Sequence, residues 1–403
     1  MSHFFWYLCR LVFGGVNVSI SFFYNRLSFI ILILFVLALL IQLCIHWIRF
    51  SRLAFYKRPH RPKLDEELEP VSVVVCASDS YEYLTELIPS LLSQDYPQFE
   101  VVVVNDCSGD ETEEYLKDLE RRESRIKPVQ MRQHLNFFNG KKFPLSMGIK
   151  SASYDLLVLT DAGSMPTSDQ WLRSVVSCYG HNTQVVIGYS PLRTSSGLLN
   201  KLMRFESFQN GILYLSAALA GKPYMGVGKN LSYRKKLFFK NKGFTSHYSM
   251  PAGDDDVFVS QVATKKNTSV LIDAENTIIT TPKSGFGDWV RQRCDSYSTI
   301  RLHRPDTRAS MAVFYWSQFL FYAFFITLLF LSPAFALPFD INPYLYYHPI
   351  LLFLFLLRYA TQLIIYGCSA KRVGEKGLLG GLILFDPIFA IVTPLFRITG
   401  RLC

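Results

Sequence analysis

Apolar and polar positions divide this chain into two kinds of territory. Leu27 to Ile48 runs about 22 residues without a charge. At ~1.5 Å per residue a helix of that length reaches ~33 Å, enough to cross the ~30 Å hydrocarbon core of a bilayer. Ala312 to Leu337 is a second uncharged run, rich in Phe. Tyr347 to Gly367 and Leu378 to Phe396 are two more, each broken by one charge. Between the first two runs the apolar stretches shorten and become β-branched. VSVVVCA (71–77), EVVVVN (100–105) and Asp155 to Thr160 read as buried parallel strands, with shorter strands at Lys127 to Met131 and Gln184 to Gly188. Tyr83 to Leu92, Thr112 to Arg121, Phe143 to Ser151 and Asp169 to Cys178 fit helices between them. Strands alternating with helices predict an α/β domain built on a mainly parallel sheet.

After Gly188 the rhythm changes. Leu198 to Leu219 reads as one long helix, and Met225 to Arg234 as a Gly-containing turn feeding a strand. Gly253 to Ala263 starts with three acids and continues as a helix; Ser269 to Ile272 and Thr277 to Thr280 are short strands. The expected organisation is an apolar N-terminal segment (1–25), a membrane helix (26–50), a basic linker (51–69), the α/β domain (70–281), a basic, aromatic interfacial segment (282–310), and a membrane region (311–403) with about three hydrophobic segments.

Charge adds orientation. The net charge is +10, and much of the excess sits in two places. Arg49, Arg52, Lys57, Arg58, Arg61 and Lys63 follow the first run, and Lys371, Arg372 and Lys376 separate the third from the fourth. The positive-inside rule puts both loops in the cytoplasm, against anionic headgroups. No stripe of alternating basic and aromatic residues accompanies them, which argues against nucleic acid as a partner. The eight cysteines are scattered without a CxxC pair, as for reduced thiols, and offer no zinc site. No small-residue cleavage site follows the first run, which argues against a cleaved signal peptide. Arg358 and Asp386 fall near the middle of the third and fourth runs, at comparable depth from the basic loop. Intramembrane charges find partners, so a salt bridge between them is expected. The alternative is a snorkelling Arg358 and a chain break at Asp386-Pro387.

The candidate chemistry lies at strand ends. In LLVLTDAGSMP (156–166) an apolar strand runs straight into Asp161, the position where open α/β sheets bind ligands. Asp106 ends EVVVVN and opens the turn DCSGDET. It can hydrogen-bond a nucleoside, or it can simply cap the turn. Gly140-Lys141-Lys142 precedes a helix; a lysine there can neutralise a diphosphate or stay solvated. Asp254, Asp255 and Asp256 open a helix, where acids complement the macrodipole and one can serve as a general base.

In this order and spacing VSVVVCA, VVVVNDCS, GKKFPLSMGI, LLVLTDAGSMP, GVGKNLSYRKKLF and AGDDDVF resemble the membrane-bound family-2 glycosyltransferases, over roughly Pro70 to Arg308. The resemblance implies a GT-A fold and an inverting transfer from a UDP- or GDP-linked sugar to a lipid-linked or membrane-adjacent acceptor. The protein would sit in a bacterial inner membrane with its catalytic domain in the cytoplasm. It implies Asp106, Lys142 and Asp161 on the donor, Asp161 also as ligand to Mg²⁺ or Mn²⁺, and Asp255 as catalytic base. Asn230 and Asp254 would lie on the acceptor side, and Gln292 and Arg293 near the diphosphate. Two positions depart from the family pattern. Gly163 stands where the second acid of Asp-x-Asp is expected, and only the Gln of Gln-x-x-Arg-Trp survives, at Gln292. These departures leave open a catalytically impaired relative that binds a nucleotide sugar or a partner enzyme. A transporter subunit is a third reading, disfavoured by the few spans.

Overall fold

Strands that bury both faces place alternate residues in two different cores, and this sheet does so. Val73, Val75, Val101, Val103 and Val158 point into one cluster, while Val74, Val102, Leu157 and Leu159 point into the other. In this computed structural model residues 27–58, 68–132, 140–250, 252–331 and 343–399 are described. The expected N-terminal segment 1–25, Arg61 and Lys63, and the end of the second apolar run lie outside them.

The chain enters through helix α1 (Leu27–Ala54), which contains a π-helical stretch at Ile45–Phe50. There follow β1 (Val71–Ala77), α2 (Tyr81–Leu92), β2 (Phe99–Asp106), α3 (Thr112–Arg122), β3 (Ile126–Met131), α4 (Lys142–Ser151) and β4 (Leu156–Asp161). Next come β5 (Ser164–Pro166), α5 (Trp171–Val176), β6 (Val185–Gly188), α6 (Leu198–Leu219), β7 (Leu231–Arg234), α7 (Lys235–Lys240), α8 (Asp256–Val262), β8 (Thr268–Leu271) and β9 (Ile278–Thr280). The chain closes with α9 (Phe286–Ser298), α10 (Pro305–Leu331), α11 (Pro343–Val373) and α12 (Leu382–Thr399).

Seven strands form the main sheet in the order β3-β2-β1-β4-β7-β6-β8, and β5 pairs with β9 in a small second sheet. β7 runs antiparallel to both neighbours, and the other neighbouring pairs in the main sheet are parallel. This antiparallel insertion sets up the site. Because Leu159 pairs with Leu231, the turn that leads into β7 lies beside the carboxyl end of β4. On the face that carries α4, Gly148 lets the helix approach the sheet closely. A Cβ there would come 2.7 Å from both Val104 Cγ2 and Val74 Cγ1. Gly148→Ala is therefore expected to cost about 1–3 kcal/mol through overpacking. A denaturation midpoint equal to that of the parent protein would refute this.

The same face continues into the membrane helices. Phe50 and Leu53 of α1, Phe205 and Phe208 of α6, Phe314 of α10, Tyr366 of α11 and Phe385 and Phe389 of α12 share one apolar cluster. Among the described residues three helices are long and apolar enough to cross a bilayer, Leu27–Ala54, Pro305–Leu331 and Tyr347–Val373, with a shorter apolar helix at Leu379–Leu395. The expected intramembrane pair is present. Arg358 Nη1 lies 2.9 Å from Asp386 Oδ2, with side chains 2% and 0% exposed. Gln318 Nε2 (2.8 Å) and Gln362 Nε2 donate to Asp386 Oδ1, and the Tyr322 hydroxyl donates to Oδ2. Arg358 Nη2 in turn donates to Gln42 Oε1 at 3.3 Å. One polar knot thus joins α1, α10, α11 and α12, and α12 stays helical through Pro387 and Pro394.

A second buried pair fastens the membrane region to the α/β domain. Glu375, in the turn after α11, accepts from Arg204 Nη2 of α6 at 2.7 Å and from the Tyr189 hydroxyl at 2.8 Å. Arg204 also donates to the carbonyl of Lys376 at 2.7 Å. The Arg204 and Glu375 side chains are 5% and 0% exposed.

Candidate active site

At the carboxyl edge of β4 a cavity of about 550 Å³ opens between the α/β domain and the segment leading to α10. Asp161, Lys141, Lys229, Asp254, Asp255, Asp256, Lys283, Gln292 and Arg293 line it, with Tyr189 and Trp289 among its apolar walls. Another depression of about 610 Å³ lies over α2 and α3, but Asp79, Glu82, Asp110, Glu111 and Glu114 surround it, a field that repels anions. Of these two, the first mixes acids with cations.

Local structure explains each placement. Asp161 ends β4 as expected. Asp255 is the N-cap of α8: its Oδ1 accepts from the Asp256 N–H at 2.7 Å, and its Oδ2 accepts from the Gly228 N–H at 2.9 Å. Burial, then the neighbouring charges of Asp254 and Asp256, push the Asp255 carboxyl up to about 7. The Asp254 side chain is buried, and its Oδ2 has no hydrogen-bond partner among the described residues. Asp256 Oδ2 accepts from the Thr299 hydroxyl and lies 3.2 Å from His303 Nε2, which ties the acidic turn to the chain entering α10.

Three expected side chains stand elsewhere. Lys142 is 1% exposed. It donates to the carbonyls of Met250 and Ala252 and braces the acidic turn from behind. The lysine in the cavity is its neighbour Lys141, whose Nζ lies 2.7 Å from Asp161 Oδ1 and 3.7 Å from Asp254 Oδ2. Asn230 is buried too. Its amide nitrogen donates to the Tyr189 carbonyl and Thr277 hydroxyl, and its oxygen accepts from Trp171 Nε1, so its polar atoms serve the core rather than an acceptor. Lys229 occupies the cavity wall in its place. Arg293 reaches the cavity, but Nη1 is paired at 3.1 Å with Glu206 of α6, which also accepts from Trp289 Nε1 at 3.3 Å. Asp106 lies on the same sheet edge as Asp161, with β1 between them, outside the cavity lining. Gln292 lines the cavity. Lys229 lies within GVGKNLSYRKKLF, where the resemblance assigns it no role, and Lys283 belongs to none of the motifs. Lys229 follows from the register of β7, and Lys283 from the pairing of β9 with β5 that brings Thr281 against Gly163.

The sequence-based expectation puts a divalent ion on Asp161, and in this structure the Asp161 carboxylate is paired with the Lys141 ammonium at 2.7 Å. Among the described residues no three His, Cys, Asp or Glu side chains gather as ligands. Burial alone would raise the Asp161 carboxyl, but Lys141, Lys229 and Lys283 outweigh it and hold the group below its usual range. Burial likewise opposes the Lys141 ammonium, yet Asp161 and Asp254 keep it well above the ordinary lysine value. For Lys229 burial wins: together with the charges of Lys141 and Arg293 it outweighs the pull of Asp161 and Asp255 and draws the ammonium down to about 8.

Comparison with known proteins bears on this geometry. Residues 72–240 match the family model of glycosyl transferase family 2. An uncharacterized glycosyltransferase of Haemophilus influenzae is 30% identical over 198 residues, 48% of this chain and 60% of that protein. A poly-beta-1,6-N-acetyl-D-glucosamine synthase of Staphylococcus epidermidis is 27% identical over 175 residues, 43% of this chain and 40% of its own length. The matches thus span less than two thirds of these relatives. A mannosyltransferase of Pyrobaculum calidifontis, solved with GDP-Man and Mn²⁺, superposes with a TM-score of 0.57 at 17% identity, covering 87% of this chain and 100% of that one. The α/β domain has the GT-A fold that this neighbour shares.

Proposed function

From the match of residues 72–240 to the glycosyl transferase family 2 model, we propose that this chain moves a sugar, with inversion, from a UDP- or GDP-linked donor to a lipid-linked or membrane-adjacent acceptor at the cytoplasmic face. One observation carries the reading: the Asp255 carboxylate shares a cavity with lysines and opens beside the segment entering α10. A group held near pH 7 is matched to accepting a proton at neutral pH. In the transfer, the acceptor oxygen attacks the anomeric carbon while the bond from that carbon to the diphosphate oxygen breaks. The electron pair leaves with the nucleoside diphosphate, and the acceptor proton passes to Asp255. Lysines on the cavity wall meet the charge that develops on the leaving group.

Membrane topology supports a lipid acceptor. The acidic turn is bonded through Asp256 to Thr299 and His303, immediately before α10. Phe286 and Leu302 beside it are exposed large apolar side chains, as on a segment that meets a bilayer surface. The test incubates the protein in membranes with a panel of UDP- and GDP-sugars and follows label into organic-extractable product. A second reading, binding without turnover, draws on Gly163 and on the engagement of Arg293 by Glu206. Calorimetric binding of UDP or GDP with no product from any donor would favour it. Neither binding nor product would overturn both.

A further inference from the structure

We propose that Lys141 is the built-in cation of this site, standing where a divalent metal would stand, so that the leaving diphosphate is neutralised without a metal ion. The inference rests on the glycosyl-transfer reading above. Its basis is the geometry around Gly163. The second acid of a metal-binding pair is missing there, and sterics do not require the loss: a Cβ on Gly163 would meet only Thr281 Cβ, at an ordinary 3.9 Å. On the other side of Asp161 the place is taken. The Lys141 ammonium sits 2.7 Å from Asp161 and 3.7 Å from Asp254, between the two carboxylates that could otherwise share an ion.

A metal arriving at Asp161 would have to displace that ammonium within a cavity already carrying Lys229 and Lys283. Two like charges would be added where one stood. Diphosphate, by contrast, enters a field prepared for it. The Lys141 side chain is 39% exposed, so it can turn from Asp161 to an incoming oxygen without unburying the core. Asp161 then acts as a positioning residue that holds the ammonium at the mouth of the leaving-group path. The anomeric bond breaks as described, and the proton balance is unchanged, because Lys141 pairs with the departing oxygen as a cation and gives up no proton.

The experiment compares UDP with uridine, and GDP with guanosine, by calorimetry on the full-length protein in detergent, with EDTA and then with Mn²⁺. The expected gain in affinity from the diphosphate is the same in both conditions. It falls about 10- to 100-fold in Lys141→Gln, as for a lost hydrogen bond to a charged group, and returns in Lys141→Arg. Nucleoside affinity stays level across the variants, which separates a local effect from misfolding. A complementary variant, Gly163→Asp, is expected to acquire a Mn²⁺-dependent gain that the parent lacks. A diphosphate gain that vanishes in EDTA and returns with Mn²⁺ overturns the proposal while leaving the transfer reading intact. No affinity for either nucleotide in any condition overturns both.

Discussion

Asp255→Asn is expected to lower donor-dependent transfer about 100- to 10,000-fold, the usual contribution of a positioned general base. The substitution is mild structurally. Asn caps helices about as well as Asp, so the bond to the Asp256 N–H survives and α8 keeps its start. What disappears is the ability to take a proton. Nucleotide affinity measured alongside should change little, so the loss falls on kcat rather than on donor binding. Transfer at the parent rate would exclude Asp255 as the base. The pH profile gives an independent reading of the same residue. Asp255 is raised to about 7 and works only when deprotonated, so kcat/KM is expected to climb as pH rises through about 7. Lys229 is lowered to about 8 and loses its charge above that point, so kcat/KM should fall again on the alkaline side. A profile flat between pH 6 and 9 would contradict both assignments (the interval brackets the two transitions, about one pH unit either side).

The second large effect lies in the membrane. Asp386→Leu is expected to cost about 3–5 kcal/mol, because it leaves the Arg358 guanidinium buried without its counter-charge. The penalty also strands the donors of Gln318, Gln362 and Tyr322, which all point at the lost carboxylate. Removing both charges together, as Arg358→Met with Asp386→Leu, should recover most of the loss, since a buried ion pair is often replaceable by apolar side chains of similar volume. Thermal unfolding in detergent reads the difference. If the single and double variants melt together, the pair is not the unit that holds these helices.

The pair was legible from sequence because a lone charge in an uncharged run is conspicuous and has few possible partners. The strands were legible for a related reason: a strand buried on both faces shows as an unbroken apolar run, as in VSVVVCA. Strand order left no such mark. Nothing in Leu231–Arg234 announces that it runs antiparallel between β4 and β6, and the placement of Lys229 depends on that order. Lys141 and Lys142 illustrate the limit at single-residue scale. Lys141 is the N-cap of α4, outside helical geometry, and Lys142 is the first residue of the helix. One therefore faces the cavity and the other the backbone of the acidic turn, and their shared charge says nothing about which. Asn230 failed as an acceptor-side residue for a different reason: an amide that satisfies buried carbonyls and hydroxyls looks the same in sequence as one that awaits a ligand.

The Arg204–Glu375 bond has a consequence for how the protein is made. Tyr189 sits on the cavity wall, and its hydroxyl is bonded to a carboxylate that lies 186 positions later in the chain. Arg204 has the same distant partner. As the polypeptide emerges from the ribosome, every strand of the sheet and the acidic turn are synthesised before Glu375. Until α11 has been inserted and its following turn returned to the domain, a guanidinium meant for burial has no counter-ion. A chain that ends before residue 375 therefore lacks the carboxylate that Tyr189 of the cavity wall and Arg204 are bonded to.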